Sequence, residues 1–137
     1  MSEIDVRKAL NTHFQTLVTT SIDTVDENQS FKPTDPSRPY EELHLLINDP
    51  ESAGMGINSG VWRTGIFSVL LYYPPGSGAK PAAQRAKEIA DHFTRGTTLT
   101  SGSVTVKLTK PAKVKTSRRE ADRYLVPVHI PYLAFDA

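Results

Sequence analysis

Residues 61–73, read as Val-Trp-Arg-Thr-Gly-Ile-Phe-Ser-Val-Leu-Leu-Tyr-Tyr, constrain this chain more than any other stretch. From Ile66 onward, apolar residues occupy both odd and even positions. An extended strand of that kind is apolar on both faces, must be covered on both, and is expected at the centre of a sheet. The rest of the chain has to supply its neighbours and its cover.

Three further segments read as strands. From Tyr40 to Ile47, Leu43, Leu45 and Ile47 alternate with Glu42 and His44, the pattern of a half-buried strand. Val104, Val106 and Leu108 alternate with Thr105 and Lys107, and Tyr124, Val126, Val128 and Ile130 alternate with Leu125 and His129. The cover comes from two helical patterns. Val6, Leu10, His13, Phe14, Leu17 and Val18 predict an amphipathic helix from Glu3 to about Thr20, opened by Ser2 and Asp5 in the manner of a capping box. Pro81, Ala86, Ile89, Ala90 and Phe93 predict a second, with proline in its first turn and Arg95-Gly96 at its end. The order helix, strand, strand, helix, strand, strand predicts one α+β domain over residues 1–137. Its two layers would be two helices packed on one face of a mostly antiparallel four-stranded sheet. Asp23 to Pro39 reads as an extended loop pinned by Phe31, Asn48 to Gly60 as a glycine-rich loop, and Lys110 to Asp122 as a basic loop.

The net charge of +1 hides an asymmetry. Asp23 to Glu51 holds eight acids against two bases, and Lys107 to Arg123 seven bases against two acids. Such blocks suit contact within one subunit or head-to-tail contact between neighbours.

Reactive chemistry finds little support. There is no cysteine, which removes disulfides and thiolate metal sites. The stretch Tyr72 to Ala82, YYPPGSGAKPA, has the strand–glycine loop–lysine–helix layout of a phosphate-binding loop. Its glycines stand too close to Lys80, however, and Pro81 replaces the magnesium-binding hydroxyl. It is expected to be a connector. His13, His44, His92 and His129 fall on four different elements without metal-ligand spacing, and no serine sits in a nucleophile elbow. Glu41 and Glu42, neighbours on one strand, point to opposite faces and cannot share a proton. The expectation is a protein that is not an enzyme and uses no cofactor or metal. The basic loop could meet phosphates, but no aromatic residue between Phe93 and Tyr124 offers a stacking platform, so no specific nucleic-acid binding is expected. The longest uncharged run, Thr64 to Ala79, is 16 residues with two prolines, too short to span a bilayer of about 30 Å. The start MSEIDVRKAL carries acids and lacks an apolar core, so it does not read as a signal peptide, and the chain reads as soluble and cytosolic.

What remains is surface. Met55 and Ile57 on the glycine-rich loop, next to Trp62, would either dock onto their own domain or order against a neighbouring subunit. Together with Arg63, the acids Glu41 and Glu42, and the bases Lys113, Lys115, Arg118 and Arg119, they form the candidate subunit interface.

Several segments together resemble the tail terminator proteins of long-tailed bacteriophages and prophages. They are VDENQSFKPTDPSRPYEELHLL, the strand Arg63-Thr64-Gly65 running into PPGSGAKPA and its helix, and the final RYLVPVHIPY with Val126-Pro127-Val128. The resemblance covers nearly the whole chain. It implies a hexameric ring, assembled in the host cytoplasm, that caps the tail tube of the virion and stops its polymerisation. Its partners would be copies of itself, the tube protein and a head-completion protein, with the free protein either a ring or a monomer. The alternatives are another connector or tube-forming virion protein, or a nucleotide- or DNA-binding domain.

Overall fold

The computed structural model describes residues 2–17, 22–26, 38–48, 51–52, 54, 60–76, 78–120 and 123–136. In chain order the elements are α1 (Ser2–Gln15), β1 (Asp23–Val25), β2 (Tyr40–Ile47), β3 (Glu51–Ser52), β4 (Val61–Tyr73), α2 (Lys80–His92), β5 (Thr98–Ser101), β6 (Val104–Lys107), β7 (Lys113–Val114), β8 (Arg118–Glu120) and β9 (Arg123–Asp136).

The doubly apolar strand is central. β4 pairs antiparallel with β9 from Val61 to Tyr73 and with β2 from Gly65 to Tyr72. The sheet around it overturns the expected four-stranded, two-layer α+β arrangement. Among the described residues it has nine strands, with the spatial order β1-β2-β4-β9-β6-β5, β3 pairing β4, and β7 and β8 pairing β9. It curls into a half-barrel. The five additional strands have two to four residues each. Such short polar pieces carry too few alternations to register as strands by pattern; long neighbours hold them in place. β1 lies inside the segment expected to be a loop, and β7 and β8 inside the basic loop. The Phe31 anchor falls outside the described residues, and the first helix stops at Gln15, short of the expected end near Thr20, with Thr16 and Leu17 in a turn.

β9 is longer than its alternation suggested and carries two prolines inside it. The Lys115 amide donates to the Pro127 carbonyl at 2.8 Å, so the nitrogen of Pro127 also faces away from β4. Pro131 has the same parity and sits between the stretches paired with β7 and β6. Neither ring therefore breaks the β4–β9 ladder.

Alternation divides the sheet into two faces. Leu43 and Leu45, Phe67 to Tyr73 at odd positions, Val104 and Val106, and Val126 to Ala134 at even positions form the core face. Val6, Ala9, Leu10 and Phe14 of α1, and Ala82, Ala86 and Ile89 of α2 with Phe93 just beyond it, pack into this same cluster. Both helices thus cover one face, and among the described residues no helix lies on the other. Among the described residues, no helix is long and apolar enough to cross a membrane.

Within β4, Gly65 marks a close approach. A side chain there would drive its Cβ into the Leu46 carbonyl and within 2.7 Å of the Tyr132 hydroxyl. Tyr132, its partner across the β4–β9 ladder, occupies the space the glycine leaves.

Candidate subunit interface

Of the acids expected at the interface, Glu41 is turned inward. It lies on the core face of β2 with no exposure, and Arg85 of α2, 3% exposed, donates to it through Nη2 at 2.6 Å and Nε at 3.1 Å. Arg85 Nη2 also donates to the Leu17 carbonyl at 2.7 Å, and the Thr24 hydroxyl reaches Glu41 Oε1 at 3.3 Å. One guanidinium thus ties α2 to β2 and to the end of α1. Burial works against its charge, but the Glu41 hydrogen bonds and charge prevail, and Arg85 is shifted up. Burial, then the Glu41 charge, likewise pushes the Tyr73 hydroxyl up. The sequence held a signal for this pair, because Arg85 falls on the buried stripe of Ala82, Ala86 and Ile89.

The helix-free face of β2, β4 and β9 carries the next group. Tyr40 and Tyr72, cross-strand partners, stack with centroids 4.6 Å apart, and the buried Arg123 guanidinium lies 5.1 Å from the Tyr40 ring. At the opposite end of the ladder Trp62 rests on Phe135 at 4.6 Å. Register places Leu46, Ile66, Pro131 and Leu133 in the rows beside them. Trp62 is 39% and Leu46 51% exposed, so this end of the face presents an apolar patch to solvent. Arg63 lies half-buried on the other face, opposite Ala134. Met55 and Ile57 fall outside the described residues.

The charged blocks separate onto different strands. At the β1–β2 side, Arg38 donates to both Asp23 oxygens at 2.9 Å, Asp26 accepts from Asn11 at 3.0 Å, and Glu42 contacts His44 at 3.1 Å. On the far side, exposed Lys113 and Lys115 flank Val114, which is 50% exposed. Arg118 and Arg119 line a cleft of about 590 Å³ with Ser117, Tyr124 and the turn from Pro74 to Ala79. Gly76 and Gly78 adopt φ of 82° and 84° in that turn, a conformation that suits glycine. The YYPPGSGAKPA stretch thus runs from the end of β4 into α2, and Pro74, Pro75, Gly76, Gly78 and Ala79 between them form one wall of the basic cleft.

The histidines are less dispersed than their four elements suggested. His13 and His92 stack at 4.0 Å, and the Nε2 of each donates to the other's backbone carbonyl, at 2.9 and 2.7 Å. Those carbonyls lie at the ends of α1 and α2, where intrahelical donors run out, so the rings cap both helices reciprocally. His44 and His129 share a cross-strand row with the buried Ser68 between them. Burial and the Lys115 charge hold the His129 ring below the usual histidine range.

The described residues thus form a curled sheet with both helices on one face, an apolar patch on the other and opposite charges on different strands. The family model for the phage tail terminator protein matches residues 5–132. The chain belongs to the phage tail terminator family. Its role is therefore that of a tail terminator, a structural part of the virion tail. No curated protein matches the chain significantly. A solved structure that bears no functional name has the same fold, with a TM-score of 0.79 over 98% of this chain and 96% of its own at 20% identity.

Proposed function

We propose that this terminator closes into a ring of subunits, six by the family resemblance, on the end of the tail tube. The ring stops further addition of tube subunits and presents a surface to which the head joins. The observation that carries the reading is the helix-free sheet face ending in the Trp62–Phe135 patch. Apolar area of this kind is worth about 25 cal/mol per Å² when a neighbouring subunit removes it from water. A heterologous contact closes into a ring when its rotation divides evenly into a turn. Glu41 is no part of this contact, because Arg85 engages it inside the subunit.

The test is tube growth with the matching tube protein, followed by electron microscopy and by mass measurement with and without assembled tubes. The expected outcome is a cap of discrete mass on tube ends and tubes that cease to lengthen. Unchanged tube growth, or open filaments of the protein alone, would overturn the proposal, and filaments would point to a tube-forming protein instead.

A further inference from the structure

Register across the sheet aligns the opposite charges on one line. Asp23 pairs with Tyr40, Tyr40 with Tyr72, Tyr72 with Leu125, and Leu125 with Arg118. A single cross-strand row therefore begins at an acid on β1 and ends at a base on β8. Strands lie about 4.8 Å apart, so the two ends are separated by about 19 Å along the sheet. The Debye length is about 8 Å at physiological salt, so salt largely screens the two ends from each other within one subunit.

We infer that a second copy of this chain docks with its β1–β2 edge against β8, so that its acids enter the cleft walled by Arg118, Arg119 and the turn from Pro74 to Ala79. The inference rests on the ring reading and names the contact that would build it. A copy placed beside the first, along the row, brings Asp23 of one next to Arg118 of the other. Arg38 offsets the charge of Asp23, so the negative charge on that side comes from Asp26, which accepts from Asn11, and Glu42, which contacts His44. The contact is heterologous, since each subunit offers a different edge to each neighbour. Lys113 on β7 and Lys115 just after it fit the same arrangement, since edge lysines discourage pairing of like edges while favouring an acidic one.

The experiment uses two full-length variants, R118E/R119E and D26R/E42R, each checked by thermal melting. Alone, each presents like charges at both edges and is expected to need at least tenfold more protein than wild type to assemble on tubes. Mixed in equal amounts, they regain opposite edges and should assemble alternately near the wild-type concentration. Assembly of either variant alone at that concentration would overturn the inference. So would a mixture that stays apart although both variants melt like wild type. Saturable binding of duplex DNA, lost in R118E/R119E while assembly persists, would assign the cleft to nucleic acid. If wild type itself never associates, the ring reading falls too; if wild type forms rings and the charge variants do likewise, only this contact falls.

Discussion

Arg85 grips both carboxylate oxygens of Glu41, at 2.6 and 3.1 Å, where the two side chains are 3% and 0% exposed. Truncating one member leaves the other as a buried uncompensated charge, which typically costs about 3–5 kcal/mol. R85M and E41L should each lower stability in urea titrations by that order. The double variant R85M/E41L should recover part of the loss, since no charge remains buried. Recovery will be incomplete, because the Leu17 carbonyl still loses its donor, a deficit of about 1–3 kcal/mol.

Gly65 is constrained by backbone. Substitution by alanine forces its Cβ against the Leu46 carbonyl, which cannot swing away as a side chain would. G65A should destabilise by at least the roughly 1–3 kcal/mol typical of overpacking, as measured by urea titration. Adding Y132A clears the ring and leaves the carbonyl in place, so it should not restore stability.

Neither feature was legible in the sequence, but others were. The run from Ile66 to Tyr73 announced its central position, because local composition alone decides whether both faces of a strand need cover. The amphipathic helices were equally readable from spacing. Strands β5, β7 and β8 were not, because Thr98–Ser101 has one apolar residue and Lys113–Val114 and Arg118–Glu120 owe their extended form to β9. Glu41 looked like a surface acid because its partner is 44 residues away. The opposed charge blocks were visible, but their alignment on one row depends on four strand registers that no local pattern encodes.

Acidification should act in two separate windows. His129 sits opposite Ser68 and Lys113 with Lys115 nearby, and burial followed by the Lys115 charge lowers its proton affinity in the folded state. The unfolded chain then binds the extra proton first, so stability falls as pH drops through the ordinary histidine range near 6.5. H129Q should flatten that part of a stability–pH curve. Asp23 behaves oppositely: the Arg38 hydrogen bond lowers its pKa, so its contribution is present above the unfolded value of 3.8 and lost as pH falls through the lower folded one. D23N should remove only this acid step, a small one because both partners are more than a third exposed.

The stacked histidines act as a unit. Each Nε2 must carry a proton, since its partner is a carbonyl, and the Thr16 hydroxyl, which donates to the His13 carbonyl, also lies 2.8 Å from the His92 nitrogen. H13F and H92F each keep an aromatic stack and lose a bond worth about 0.5–1.5 kcal/mol. Because both bonds join the same two residues, the double variant should cost less than the sum, with coupling of about 0.5 kcal/mol or more in a thermodynamic cycle. Strict additivity would show that the two rings cap their helices independently.

Trp62 separates folding from assembly. Within the subunit it rests on Phe135, an aromatic contact worth about 0.5–1.5 kcal/mol. If the helix-free face is covered by a neighbour, Trp62 becomes a central anchor, and tryptophans in that position contribute about 2 kcal/mol or more to association. W62S should therefore lower folding stability in urea by no more than about 0.5–1.5 kcal/mol while raising the concentration needed to assemble on tube ends by about thirtyfold, as the association energy implies. Ile4, 64% exposed on α1, is the control, since I4S removes comparable apolar surface from the helical side. Equal effects of W62S and I4S on assembly would remove the sheet face from the interface, because general loss of surface hydrophobicity would then account for both.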